Sequence, residues 1–145
     1  MAGLRHVVVE SSVVLKWILP EPGRSKALAL LDEYEAGRTD LIAPGLLMEE
    51  CASALSKRCR RGDLTAADAR LAFHLLELRQ PLLIDEPGRS RAAFELSLLH
   101  HLSFWDSVYL ALAIDKRCDM VTADRRFRTG AGKYYPFVIL LSEEL

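Results

Sequence analysis

The sequence predicts an α/β fold built on a mainly parallel sheet. Three observations carry that expectation. Short apolar runs, each too brief for a helix, alternate with longer stretches that have helical periodicity. The first run, Val7-Val8-Val9, is β-branched, as a buried strand requires. Prolines, glycines and capping patterns stand where one kind of element should give way to the other.

Residues 6–10 are expected as the first strand, ending at the acid Glu10. Ser11 and Ser12 lead into a short helix over 13–19, which Pro20 and Pro22 stop. A second helix runs from near Pro22 to Ala36, with Ala27, Leu28, Leu31 and Tyr34 on one face and Gly37 as its stop. Residues 41–43 form the second strand. Pro44 then opens a long helix, because its fixed φ suits a position whose amide has no helical partner. That helix carries Leu47, Glu50, Ala54 and Lys57 along one side. It closes with Lys57, Arg58, Arg60, Arg61 and Gly62, which suit the helix dipole and a left-handed stop. Thr65 and Asp68 form a capping-box pattern for a helix reaching about Arg79, before Pro81. Residues 82–84 are the third strand, and an amphipathic helix follows Pro87 to about His101. Ser103 and Asp106 repeat the capping pattern ahead of a helix over 107–114. Residues 120–122 form the fourth strand, leading to Ala123 and Asp124, and residues 137–141 the fifth.

At 145 residues, with no internal repeat and no linker, the chain is expected to form one domain over 1–145. Half the residues are hydrophobic and 27% are charged, a composition that excludes a disordered chain. Nineteen basic residues against 20 acidic leave a formal net charge of -1, so any contact with nucleic acid must rest on local patches. The three cysteines, Cys51, Cys59 and Cys118, show no metal-ligand spacing and read as thiols of a reducing compartment. Glu10 and Lys16 interrupt the first apolar run before it could serve as a signal-peptide core, and no stretch approaches the ~20 apolar residues of a membrane helix. A soluble cytoplasmic protein is expected.

In open parallel sheets, functional groups collect beyond the carboxyl ends of the strands, where Glu10 and Asp124 stand. Glu50, on the helix after the second strand, and Asp106, in the first turn of the helix before the fourth, are placed to reach the same edge. Four carboxylates facing one cleft raise one another's pKa unless a cation joins them. Oxygen ligation favours Mg²⁺ or Mn²⁺ over zinc, and such ions serve phosphodiester hydrolysis. Each acid also has an ordinary alternative. Asp106 could only complete the Ser103 cap, Glu50 could be a solvated helical glutamate, and Asp124 could cap a helix or pair with Arg125 or Arg126. Glu10 is hardest to explain away, because an acid straight after three valines is costly without a partner.

Four blocks then resemble the PIN domains of the VapC toxin type: 7–17 (VVVESSVVLKW), 43–55 (APGLLMEECASAL), 102–113 (LSFWDSVYLALA) and 121–127 (VTADRRF). They come in the family's order and span essentially the whole chain. The resemblance implies a three-layer α/β/α sandwich around a parallel five-stranded sheet. It implies an endoribonuclease dependent on Mg²⁺ or Mn²⁺, a homodimer, and inhibition by a cognate antitoxin whose C-terminal segment fills the active-site groove. Carried over by motif, the four acids are Glu10, Glu50, Asp106 and Asp124. The first is normally aspartate, so Glu10 is a departure that lengthens the side chain by roughly 1.5 Å. Ser12 matches a hydroxyl beside the first acid, and Thr122 is placed to orient Asp124.

Arg125, Arg126, Arg128 and Lys133 follow the fourth acid and are candidates for holding RNA phosphates. The basic cluster at 57–61 reads as a solvated helix end. Trp17, Phe104 and Trp105 read as core or interface rather than base-stacking groups. Two other classes compete with the nuclease. One is a noncatalytic PIN-fold module that binds RNA or a partner, with its metal site impaired by Glu10. The other is a phosphoacceptor receiver domain using Asp85, which lacks the lysine it would need after the fifth strand. A Rossmann or P-loop reading fails for want of a glycine-rich loop after the first strand.

Overall fold

The computed structural model describes residues 5–142. Strands and helices alternate within them as β1 (Arg5–Val9), α1 (Ser11–Ile18), α2 (Arg24–Glu35), β2 (Thr39–Ala43), α3 (Leu46–Arg60), α4 (Ala66–Arg79), β3 (Leu82–Leu83), α5 (Arg89–His100), α6 (Phe104–Lys116), β4 (Asp119–Thr122), α7 (Arg125–Gly132) and β5 (Val138–Leu140). Every strand pair is parallel, and the sheet order is β3-β2-β1-β4-β5. The sheet is therefore the parallel five-stranded one expected. Among the described residues no helix is long and apolar enough to cross a membrane.

The valine run occupies the centre. Val7 stands opposite Leu41 of β2 and Asp119 of β4, and Val8 opposite Ile42 and Met120. Val7, Val8 and Val9 are sealed from water, each burial being worth about 1.5–3 kcal/mol. From β1 the chain moves outward to β2 and β3 through α1 to α4, then returns to β4 and β5 through α5 to α7. Right-handed crossovers that run in opposite directions put their helices on opposite faces, which gives three layers. On one side α1 packs against α2, α3 and α4; on the other α6 packs against β1 and β4 with α5 against it. The direction reverses between β1 and β4. The crevice beyond their carboxyl ends is thus the topological switch point, and Glu10 and Asp124 both stand at it.

Several boundaries differ from expectation. β1 ends at Val9, and Glu10 is the N-cap of α1, which begins at Ser11 rather than Val13. β2 begins two residues early, at Thr39, where Arg5 of β1 offers a pairing partner. β3 is only two residues long, although the Ile84 amide still donates to the Ala43 carbonyl at 2.8 Å. The largest difference is α7, a helix for which the sequence offers little periodic signal. Its sequence RRFRTGAG includes two glycines and a threonine, all poor helix formers. Asp124 starts it by accepting the Arg126 and Phe127 amides at 2.9 and 3.1 Å, and buried Phe127 and Ala131, four residues apart, hold it to the body.

Candidate active site

Glu10 is built into the switch point from both sides. Its amide donates to the Val121 carbonyl of β4 at 3.1 Å, and its carboxylate accepts the Ser12 amide as the cap of α1. The Ser12 hydroxyl donates to the same carboxylate and accepts the Ala123 amide at 2.9 Å, so one side chain ties the start of α1 to the end of β4. Glu10 is only 5% exposed. Burial pushes its pKa up from 4.5 to about 8, against the Ser12 hydrogen bonds, and neighbouring Asp106 and Glu50 push it further the same way.

Asp106 lies in the first turn of α6. Its amide donates to the Ser103 hydroxyl at 3.5 Å, so half of the expected capping box is present, but its carboxyl is in hydrogen-bond contact with Glu10. Burial raises the Asp106 pKa, and Asp124 adds repulsion. Glu50, on α3, accepts the Tyr109 hydroxyl on Oε1 at 2.6 Å and is also hydrogen-bonded by the Ser11 side chain. Its pKa is raised as well, first by burial. The same burial pushes the neighbouring Cys51 thiol up to about 12 and raises the Tyr109 phenol, so both stay protonated. Asp124 is solvent-exposed at the head of α7, and the Thr122 hydroxyl accepts its amide at 3.1 Å.

Of the four sequence-selected acids, Glu10 is in hydrogen-bond contact with Asp106 and feels the charge of Glu50, and Asp106 feels that of Asp124; Asp106 and Asp124 line an adjoining cleft, whereas Glu10 and Glu50 do not. Ser12 meets the Glu10 carboxylate, and the Thr122 hydroxyl meets the Asp124 backbone amide. Two further contributors, Ser11 and Tyr109, escaped the sequence reading. Tyr109 follows Asp106 by three residues and so shares its face of α6, which is the signal that could have found it.

Beside Asp106 and Asp124 opens a cleft of about 740 Å³, lined also by His100, His101, Ser103, Arg125, Arg126 and Thr129. Arg125 and Arg126 thus border the acids. Arg128 instead folds back over Gly132 of its own helix, and Lys133 stands at the end of α7; neither lines the cleft. Of the other basic cluster, Arg58 pairs with Glu21, Arg60 donates to Ser56 and Arg61 lies 3.4 Å from Asp63. Trp17 is core, its indole donating to the Ala27 carbonyl at 2.9 Å, whereas Trp105 is exposed.

The donor set suits a hard cation. It consists of carboxylate and hydroxyl oxygens, and Glu10, Glu50 and Asp106 form no ion pair with lysine or arginine among the described residues. A carboxylate this deeply buried and lacking a cation costs several kcal/mol unless a proton or a metal neutralises it. As placed, no three His, Cys, Asp or Glu side chains among the described residues form a ready cage for one ion.

Carboxylates gathered at the switch point of a parallel three-layer sandwich, with no glycine-rich phosphate loop, define an α/β domain with an acidic site. The PIN domain family model matches residues 7–133, and the chain belongs to that family. Its fold is similar to that of PAE2754 from Pyrobaculum aerophilum, with a TM-score of 0.72 and 20% identity over 95% of this chain and 90% of that one. It is similar to VapBC2 from Rickettsia felis, solved bound to a promoter DNA fragment, with a TM-score of 0.65 and 14% identity over 93% and 96% of the two chains. VapC20 from Mycobacterium tuberculosis, a toxin that cleaves the sarcin-ricin loop, aligns with a TM-score of 0.61 and 16% identity over 85% and 93%. Comparison with curated proteins finds no significant match.

Proposed function

We propose that this protein is a cytoplasmic endoribonuclease dependent on Mg²⁺ or Mn²⁺, and the toxin of a toxin–antitoxin pair. The observation that carries the reading is the contact between buried Glu10 and Asp106 at the switch point, flanked by Glu50 and Asp124. Family membership and the likeness to VapC structures support it. The four acids would hold the metal; bound there, such an ion supplies the Lewis acidity that activates water and neutralises charge developing on the phosphate. Ser12 and Thr122 orient Glu10 and Asp124, Tyr109 and Ser11 orient Glu50, and Arg125 and Arg126 meet the RNA phosphates beside the acids. Arg128 and Lys133 are left a lesser part, because they stand away from the cleft.

Two exposed apolar faces fit the partners of such a toxin. One is Leu71, Leu75 and Leu78 along α4; the other is Phe94, Leu98, Leu99 and Ile114 on α5 and α6. A homodimer and an antitoxin together would cover surfaces of this kind. The antitoxin's own contribution would include a basic side chain meeting the carboxylates.

The test is cleavage of a mixed RNA pool by antitoxin-free protein with Mg²⁺, Mn²⁺ or EDTA, beside Asp106→Asn. Cleavage that requires metal and falls at least a hundredfold in Asp106→Asn is the expected result. Metal-independent cleavage, or equal cleavage by the variant, would overturn it. A second reading, the noncatalytic PIN-fold module, is favoured by one observation: as placed, no three His, Cys, Asp or Glu side chains among the described residues form a cage for one ion. Silence of the natural sequence under every metal would select it.

A further inference from the structure

The acidic cleft has a basic neighbour. A second cavity of about 400 Å³ sets Lys16, Lys26 and Arg125 around a wall that includes the apolar Pro22, Leu140 and Leu141. Arg125 lines both cavities. The first exposes the carboxylates of Asp106 and Asp124, whereas the lining of the second, among the described residues, holds three cations and no acid.

Together these cations keep a net charge available. The Lys26 ammonium donates to the neutral Ser142 carbonyl at 2.8 Å, which positions the head group without neutralising it. Lys16 is ion-paired with Glu21 at 3.6 Å, a carboxylate that it shares with Arg58, so one negative charge serves two cations. Arg125 is exposed and pairs with no carboxylate among the described residues. Lys26 and Arg125, with Lys16 partly compensated by Glu21, leave net positive charge around one cavity that an anion would offset, and a cavity of this size is in the range of a small-ligand site.

We propose that this cavity binds a backbone phosphate of the RNA strand that lies across Asp106 and Asp124, next along the strand from the phosphate that is cut. Arg125 stands between the two positions and serves both. The identity of the ligand rests on the nuclease reading; the existence of an anion site does not. An RNA strand is favoured over free phosphate because the basic cavity and the acidic cleft share a wall, so one polyanion reaches both.

The experiment is equilibrium binding of a fluorescent single-stranded RNA in EDTA, where nothing is cut, over a salt series. It compares the natural sequence with Lys16→Gln/Lys26→Gln, with melting curves to confirm that both fold. Each phosphate neutralised releases ~0.7 counterion, so loss of the one phosphate held in this cavity should reduce the salt slope by about 0.7 and the affinity at 0.1 M salt by about 5-fold. Equal affinity and slope would overturn the site. If the natural sequence then still cuts RNA with metal, only the phosphate site falls; if it neither binds nor cuts RNA, the nuclease reading falls with it. Stabilisation by inorganic phosphate that the double variant loses, without a change in RNA binding, would assign the cavity to free phosphate and overturn the RNA proposal.

Discussion

The Tyr109 hydroxyl donates to Glu50 across 2.6 Å, joining α6 to α3 through two side chains 59 residues apart in the chain. Tyr109 is fully buried and Glu50 is half-buried, so the bond lies where water competes little. It fixes one candidate metal ligand from the helix that carries another, Asp106.

Tyr109→Phe removes this donor while keeping the ring. The expected stability loss is about 1.5–3 kcal/mol, the value of a buried hydrogen bond to a charged group. Affinity for Mn²⁺ should fall roughly tenfold or more, as is usual when a ligand loses its orienting partner. Urea unfolding and calorimetric titration measure the two effects, and unchanged Mn²⁺ affinity would remove Tyr109 from the site.

Glu10 makes the metal-free protein sensitive to pH. The folded state keeps the Glu10 proton to about pH 8, whereas the unfolded chain releases it near 4.5. The folded state therefore binds more protons across that window, and stability should fall as pH rises through it, by an amount on the order of a few kcal/mol. Glu50 and Asp106 are shifted in the same direction and add to the trend. Melting curves in EDTA at pH 5, 6.5 and 8 should show a declining Tm, Glu10→Gln should flatten the decline, and Mn²⁺ should restore Tm at pH 8 by binding the folded form. A flat profile for the natural sequence would contradict the burial argument.

Shortening the first acid separates packing from ligation. Glu10→Asp leaves a gap of one methylene in a sealed position, for an expected cost of about 1 kcal/mol. If the longer carboxylate handicaps a metal with strict octahedral demands, Mg²⁺-dependent RNA cleavage should rise in this variant despite the lower Tm. Cleavage that falls in step with stability would show that the glutamate is the better ligand here.

Arg89 offers a stability test far from the acids. Its side chain is 9% exposed, sits 3.8 Å from both Glu86 and Asp115, and leaves Nη1 without a hydrogen-bond partner among the described residues. Lys116 also serves Glu86, at 2.7 Å. A buried cation so loosely paired should be replaceable, and Arg89→Met is expected to change stability by no more than about 1 kcal/mol. Arg89→Ala, which loses the packed stem, should cost about 2 kcal/mol. Urea unfolding that shows Met to be as damaging as Ala would mean that the charge matters after all.

Local pattern carried much of this protein. Three valines in a row can satisfy only a buried strand, Thr65 and Ser103 announce the helices they cap, and an acid straight after Val9 has to be partnered. These are properties of neighbours in the chain, so periodicity and spacing reveal them. The relationships that make a site lie elsewhere. Glu10 had to fold onto Asp106, Tyr109 onto Glu50 and Ser12 onto Ala123, contacts that exist only after the sheet has brought β1 beside β4. α7 was equally hidden, because its glycine-rich sequence has little intrinsic preference for a helix and depends on the Asp124 cap and on burial of Phe127 and Ala131. Chain order determines which groups are available, whereas burial and distance determine which of them share a proton, and those arise only when remote segments pack.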